Sequence, residues 1–319
     1  MVNEPSILMP NSTLTGADMI ATGDDVAVRA AMEEGKVLAG GITEEKKEAL
    51  EHAMLDKVQV DCPVTHHFGP GVCIREVFVP AGTFAMGHFQ ATTHMNVMLK
   101  GRVLVLNDDG GTKELVAPCT FVAPPGRKIG YVIEDMVWQN VYATDETDVE
   151  SIERLYLRKS VSFQEHKKIE RLRLGFEPRD YDRADFLLAI KEYGFEEAQV
   201  REMSENTEDQ IPFPIGSFKV KISESMIEGK GVVATGQIQA GELIGPTKIK
   251  SLRTPLGRYT NHAKYPNAEI VELSGDIHLV ALRPIAGCKG GRDGEEVTVD
   301  YRKVMDLNRR TICQPYLLR

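Results

Sequence analysis

The chain has 319 residues, of which 42% are hydrophobic and 27% are charged, and its formal net charge at pH 7 is −9. At about 150 residues per domain, this length predicts two domains and argues against a single small module. No apolar stretch approaches the ~20 residues of a membrane helix, and no dense Lys/Arg stripe is present. Neither a membrane nor a direct nucleic-acid partner is therefore expected.

The N-terminal region, residues 1–57, is predicted to form an arm followed by two short helices. It lacks both the basic start and the apolar block of a secretory signal, so we expect a cytoplasmic protein. Capping residues predict one helix over residues 24–39 and a second over residues 43–57, which Thr43 would open. The five cysteines of the chain are widely spaced without a C-x-x-C pair, which predicts reduced thiols.

Residues 58–160 form the first predicted β domain. Short β-type runs separated by Gly, Pro or Asp pairs are typical of a sandwich or a barrel. One stretch of this region resembles the first motif of the cupin family, and it contains Gly82, His88, Gln90, His94 and Gly101 in that order. The resemblance implies an N-terminal cupin-like β-barrel.

The metal ligands of the cupin family are incomplete in this sequence. In the family, the positions that match His88, Gln90 and His94 normally carry His, His and Glu, and a fourth ligand stands where this chain has Ile129. No metal is therefore expected, although two imidazoles with a further donor can hold a divalent ion weakly. The domain is interpreted as a scaffold for homo-oligomerisation or for substrate recognition.

Residues 161–213 are predicted to be a helical connector, because the sequence there is highly charged and only one apolar stripe is evident. Pro212 and Pro214 would end it. The sign of the net charge changes at the same place, since residues 1–213 carry −14 and the remainder carries +5. This asymmetry indicates two functional halves.

The strongest signal lies in the second predicted β domain, residues 214–319. It consists of three segments in order: the glycine-rich stretch Glu228 to Ala234, the stretch Arg258 to Asn267 with its Asn-His pair, and the stretch Gly294 to Tyr301 with its Asp-Tyr ending. Together they resemble the SET domain of the lysine methyltransferase family. The resemblance implies a β-clip fold with a pseudoknot that places the Asn-His and Asp-Tyr segments side by side.

The same resemblance implies S-adenosylmethionine as the cofactor. The implied cofactor-binding residues are Gly229, Lys230, Gly231, Asn261 and His262. Glycines permit a backbone close to a ligand, where exposed N–H groups can meet its polar edges. The structural alternative for Asn261 is the capping of a turn.

Tyr301 matches the catalytic tyrosine of the family, and Tyr259 is a candidate wall of the same channel. Lysine in water has a pKa of ~10.4, so its nucleophilic neutral form is scarce at pH 7. A narrow aromatic channel would disfavour the ammonium form and hold the amine in line with the methyl carbon. Tyr301 and Tyr259 are therefore the predicted catalytic residues.

One wall of the substrate groove is missing from the sequence. Many family members carry a helical insert between the segments that end at Gly245 and begin at Arg258, but only twelve residues lie there, including Pro246 and Pro255. Such a segment is too short for a long helix. The acidic connector around residues 192–209 is one candidate for the missing wall.

The predicted function is that of a protein-lysine N-methyltransferase, whose partner is a protein substrate that bears a lysine. Two alternatives remain open. The SET-like unit can be a catalytically silent binding module, or the chain can be a small-molecule cupin metalloenzyme. Binding and turnover of S-adenosylmethionine would distinguish the methyltransferase from the silent binding module, and a stoichiometric transition metal would indicate the metalloenzyme.

Overall fold

The computed structural model describes residues 19–23, 42–173, 180–290 and 292–313. Within these ranges the protein is mainly β with helical segments, which confirms the predicted fold class. The predicted helix over residues 24–39 lies outside the described residues. None of the described helices is long and apolar enough to cross a membrane.

The described residues divide into two compact units. Unit 1 lies within Met1–Asp145, Ile152–Leu174 and Cys288–Asp293, and unit 2 lies within Glu146–Ser151, Gly175–Gly287 and Gly294–Arg319. The helices predicted as one connector are shared between the units, and a short segment near residue 290 belongs to unit 1 although it was predicted within the SET-like domain.

Unit 1 is built on a curled antiparallel sheet. The strands in chain order are β1 (Ile20–Thr22), β2 (Val64–Gly69), β3 (Val72–Val79), β4 (Thr83–Met86), β5 (Phe89–Gln90), β6 (His94–Leu106), β7 (Thr112–Val116), β8 (Cys119–Ala123), β9 (Ile129–Ala143) and β10 (Leu157–Arg158). The sheet order is β1-β4-β9-β3-β2, β6 pairs with β7, β8 and β9, and β5 pairs only with β10. The long strands β6 and β9 therefore hold the sheet together.

Helices cover one face of this sheet. They are α1 (Glu44–Leu55), α2 (Val149–Tyr156), which begins at the edge of unit 2, and α3 (Val161–Arg173). Thr43 opens α1 as predicted, since its side chain accepts a hydrogen bond from the backbone N–H of Lys46 at 3.3 Å. Alternation along β9 sends Tyr131 into the core under α1 and α3, and sends Trp138 into a second core on the other face.

Unit 2 contains two four-stranded sheets. Its strands are β11 (Gly216–Phe218), β12 (Val220–Glu224), β13 (Lys230–Ala234), β14 (Leu243–Ile249), β15 (Leu252–Arg253), β16 (Asn261–His262), β17 (Ala268–Leu273), β18 (Asp276–Ala281) and β19 (Glu296–Val299). One sheet has the order β12-β13-β19-β16, and the other has the order β15-β14-β18-β17.

The helices of unit 2 come from three parts of the chain. They are α4 (Asp180–Glu192) and α5 (Glu197–Glu205), the short α6 (Pro255–Tyr259), and α7 (Tyr301–Cys313). Thr254 caps α6, and Pro255 occupies its first turn, where a missing N–H costs nothing. Helix α7 begins at Tyr301, and the single residue Asp300 connects it to β19.

Candidate active site

Two parallel strands place the Asn-His pair beside the Asp-Tyr ending. Strand β16 pairs with β19, with Asn261 opposite Thr298 and His262 opposite Val299. Tyr301 follows β19 by two residues, and its backbone N–H donates to Nδ1 of His262 at 3.1 Å. The structure therefore brings together the segments that are 39 residues apart in the chain.

The hydroxyl and the ring of Tyr301 both contact neighbouring residues. Its hydroxyl donates to the carbonyl oxygen of Thr260 at 3.1 Å, and its ring meets those of His262 and Phe186 edge to face at 5.4 and 5.9 Å. Burial raises the pKa of Tyr301 to about 12, with a smaller effect from the charge of Glu296. At neutral pH the phenol therefore keeps its proton and can orient a ligand by hydrogen bonding.

His262 links Tyr301 to an ion-pair network on α4. Because a backbone N–H donates to its Nδ1, the ring carries its proton on Nε2, which donates to the Asp185 carboxylate at 3.0 Å. Arg302 also binds Asp185, at 2.8 and 3.3 Å, and it binds Glu192. The Arg302 guanidinium, followed by His262, holds the pKa of Asp185 below its usual range. The network fixes the orientation of the His262 ring.

Asn261 ties the glycine-rich loop to strand β19. Its Nδ2 lies 2.9 Å from Oγ of Ser225, 2.8 Å from the carboxylate of Glu296, and 3.2 Å from the carbonyls of Glu228 and Lys230. Glu296 is buried and also accepts from Ser225. The Asn261 amide therefore holds the loop in place, whether or not it also contacts a ligand.

The two glycines of the loop have separate structural reasons to be glycine. Gly229 has a φ of +53°, a left-handed conformation that side chains disfavour. A Cβ on Gly231 would collide with the carboxylate of Glu296. Lys230 between them is exposed, and its ammonium lies 3.8 Å from the Glu150 carboxylate. The roles of Gly229, Lys230 and Gly231 in cofactor binding stay predictions.

We expect Asn261→Ala to lower the free energy of unfolding by ~1–3 kcal/mol, because buried Glu296 loses a donor and the loop loses its tie. Calorimetric unfolding of the full chain measures the loss. The same variant should bind S-adenosylmethionine more weakly, which isothermal titration calorimetry measures. Unchanged affinity in a destabilised variant would restrict Asn261 to a structural role.

Two cavities lie in unit 2, on either side of α6. A polar cavity of about 390 Å³ has among its lining residues Lys230, Arg253, Pro255, Arg258 and Tyr259. A largely apolar cavity of about 570 Å³ has among its lining residues Leu256, Gly257, Thr260, Val299 and Tyr301. The residues of α6 are thus divided between the two cavities, as expected for a helix with a cavity on each side.

The structure does not bring the two predicted catalytic tyrosines together. Tyr259 lines the polar cavity, where the guanidinium of Arg258 stacks over its ring at 5.0 Å, whereas Tyr301 lines the apolar cavity. Thr260, which follows Tyr259 in the chain, accepts the hydrogen bond of the Tyr301 hydroxyl and lines the apolar cavity with it. Tyr259 therefore is not a wall of the cavity that Tyr301 lines, and any catalytic role of Tyr259 would have to act from the polar side.

Arg258 is a site residue to which the sequence alone assigned no role. Its Nη1 is buried, and no described residue offers it a hydrogen-bond acceptor. A buried guanidinium donor without an acceptor is costly, and a carboxylate is its best-matched partner. The polar cavity therefore has a natural position for the carboxylate of a ligand.

Helix α5 and Phe195, two residues before it, supply part of the apolar cavity wall. Phe195, Val200 and Met203 line that cavity together with Val304 and Met305 of α7. Phe195, Val200 and Met203 belong to the acidic connector around residues 192–209, which was the candidate for the missing wall. Sequence reasoning identified the region, but the apolar residues rather than the acidic ones face the cavity.

The cupin-motif residues of unit 1 do not form a metal-binding set. Nδ1 of His94 donates to the carbonyl of Thr92 at 3.0 Å, so its Nε2 is the acceptor, and Nζ of Lys128 lies 3.2 Å from it. Gln90 accepts from the Tyr142 hydroxyl through Oε1 at 3.2 Å. Among the described residues, no group of three His, Cys, Asp or Glu could hold a metal. The residues present therefore do not fit a cupin metal ion.

Burial shapes the electrostatics of this pair. It lowers the pKa of Lys128 to about 8, and it also lowers the pKa of His94, to which the charge of Lys128 adds. His88, the first residue of the motif, is buried and packs edge to face against Phe163 at 4.5 Å. Of the motif histidines, His94 thus meets a cationic side chain, and His88 packs against an aromatic ring.

No family model and no curated protein matches the chain. Among solved structures, it is similar to an acetylacetone dioxygenase from Acinetobacter johnsonii (16% identity, TM-score 0.20), covering 23% of this chain and 51% of the dioxygenase. It is also similar to a cupin domain from Bordetella pertussis (15%, TM-score 0.22, 26% and 93% covered) and to a cupin-2 domain protein from Shewanella frigidimarina (14%, TM-score 0.22, 32% and 94% covered).

The chain spans only about half the length of the dioxygenase. At TM-scores near 0.2 these similarities do not identify a function. The SET-domain resemblance stays a prediction.

Proposed function

We propose that unit 2 is an S-adenosylmethionine-dependent protein-lysine N-methyltransferase. The observation that carries the proposal is the placement of Tyr301 in the wall of a large apolar cavity. Its protonated hydroxyl donates to the Thr260 carbonyl, and its backbone N–H donates to His262. Such a cavity suits the aliphatic chain of a lysine, and the hydroxyl and the Thr260 carbonyl are the polar groups that can meet its amine.

The cofactor proposal is supported by the polar cavity. The buried Nη1 of Arg258 would bind the carboxylate of the methionine part, and the Tyr259 ring beneath the guanidinium would limit its movement. Lys230 lines the same cavity, as do the acidic residues Glu146 and Asp148. When bound, S-adenosylmethionine supplies a methyl group activated by its sulfonium.

The apolar cavity would also prepare the substrate amine. Burial disfavours an ammonium, and Lys248 in the wall adds a like charge, so an entering lysine would lose its proton more readily than in water. The pKa of Lys248 itself is lowered, first by burial and then by Arg253. Tyr301, which keeps its proton, orients the neutral amine rather than deprotonating it.

The partner in this proposal is a protein that bears an accessible lysine, and unit 1 serves oligomerisation or recognition. Purified full-length chain is titrated with S-adenosylmethionine and then incubated with labelled cofactor and a cell lysate. Methylated lysines identified by mass spectrometry would support the proposal. Binding without transfer would favour the silent binding module, and absence of binding would overturn the proposal.

Small-molecule chemistry in unit 1 is the second candidate function, favoured by a largely apolar cavity lined by strands of its curled sheet. As a cupin metalloenzyme it requires a stoichiometric transition metal, which elemental analysis of the purified protein measures. The donor set described above argues against that metal.

We expect Arg258→Met to weaken the binding of S-adenosylmethionine at least tenfold, because the variant removes the charge that would pair with the carboxylate. Isothermal titration calorimetry measures the change. Arg283→Met is the matched control, since Arg283 pairs with Glu295 and its side chain is 51% exposed. Equal affinities of the Arg258 variant and the control would remove the polar cavity as the cofactor site.

A further inference from the structure

Unit 1 contains a cavity of about 100 Å³ inside its curled sheet. Its walls are mostly apolar, with Val77, Val103, Val132 and Trp138 among the lining residues. Its polar groups come from a few positions, which include Arg75, Lys128 and Asn140. None of the described residues that line it is acidic, so the cavity combines two cationic side chains with an apolar wall.

Lys128 occupies a defined position in this cavity. Its ammonium donates to Nε2 of His94, and the backbone bond from His94 to Thr92 fixes that ring. Among the described residues, no carboxylate forms an ion pair with Lys128. An ammonium has three donors, and a neutral imidazole satisfies one of them without balancing the charge. The site therefore lacks a negative charge beside Lys128.

The polar wall next to Lys128 is rigid. Nδ2 of Asn140 donates to Oδ1 of Asn96 at 3.0 Å, and Nε1 of Trp138 donates to the same oxygen at 3.2 Å. Asn140 lies opposite Arg75 in the pairing of β3 with β9. Arg75 and Asn140 are thus presented from neighbouring strands, and strands hold side chains more precisely than loops do.

The geometry points to a binding site for a short-chain monocarboxylate in this cavity, with the carboxylate at Lys128 and the aliphatic part against the valines and Trp138. The Lys128 ammonium that meets His94 would pair with the carboxylate directly. The inference concerns unit 1 alone and does not depend on methyl transfer by unit 2.

Size and wall chemistry favour a carboxylate over an inorganic anion. A water molecule takes about 30 Å³ in the liquid, so the cavity holds only a few water-sized groups. An inorganic anion would leave the apolar wall without a matching partner, whereas acetate or propionate has one charged end and one apolar end.

The test uses the full chain in carboxylate-free and phosphate-free buffer at constant ionic strength. Isothermal titration calorimetry is performed with acetate, with its neutral isostere acetamide, and with inorganic phosphate. Saturable binding of acetate, with at least tenfold weaker binding of both acetamide and phosphate, is expected. No saturable acetate binding, or equal binding of acetamide or phosphate, would overturn the inference without any variant.

Two variants and a control then locate the site. Lys128→Met should weaken acetate binding at least tenfold, and Lys128→Arg, which keeps the charge, should retain more of it than Lys128→Met. Lys113→Met is the control, because Lys113 is exposed on β7, and it should change the affinity less than twofold. Circular dichroism shows whether each variant is folded. A folded Lys128→Met variant that binds acetate like the wild type would place the site elsewhere.

Discussion

Replacing Tyr301 by Phe is expected to reduce methyl transfer at least tenfold, about 1.4 kcal/mol in the activation barrier. The substitution removes one oxygen and keeps the ring, whose edge contacts with His262 and Phe186 position α7. The backbone N–H that donates to His262 is also kept. The lost group is therefore the hydroxyl that Thr260 holds in the cavity wall.

The measurement compares incorporation of labelled methyl groups with calorimetric binding of S-adenosylmethionine. Binding should change little, because Tyr301 does not line the polar cavity to which the carboxylate of the cofactor is assigned. Tyr265→Phe is the matched control, since Tyr265 is 76% exposed and loses the same oxygen. Wild-type turnover by the Tyr301 variant would show that this hydroxyl has no part in the reaction and would remove the main support for the proposed function.

Local signals account for what the sequence predicted correctly. The start of α1 depends on the hydrogen bond between the Thr43 side chain and the backbone N–H of Lys46, only three residues away. The strands of unit 1 follow short β-type runs bounded by turn residues. The Asn-His and Asp-Tyr segments were expected side by side from the family resemblance, and β16 and β19 place them so. Each of these features is encoded within a few residues or within a recognisable motif.

The remaining site features depend on partners far apart in the chain. Asp185 meets His262 across 77 residues, and Lys128 meets His94 across 34, with no local pattern that announces either contact. The opposite placement of Tyr259 and Tyr301 depends on α6, a helix of five residues capped by Thr254. A helix this short was not predicted, so both tyrosines were assigned to one channel.

The largest effect on stability is expected at the ion pair between Glu51 of α1 and Arg127, which precedes β9. The Glu51 side chain is fully buried and that of Arg127 is 6% exposed. Two guanidinium nitrogens bind the carboxylate at 2.8 and 3.2 Å, and the Ser160 hydroxyl donates to it at 2.8 Å. Every strong donor to this buried charge thus comes from outside α1.

Arg127→Met should therefore lower the free energy of unfolding of unit 1 by about 3–5 kcal/mol, because it leaves the Glu51 carboxylate buried without a cation. Adding Glu51→Met should recover much of this loss, since the double variant has no buried charge. Trp138, the single tryptophan, lies in the unit 1 core, so its fluorescence during urea unfolding reports on this unit. Arg102→Met is the control, because Arg102 pairs with Glu114 at the surface and its loss should change unfolding little. If Arg127→Met alone is as stable as the double variant, the buried Glu51 carboxylate is not stabilised by Arg127.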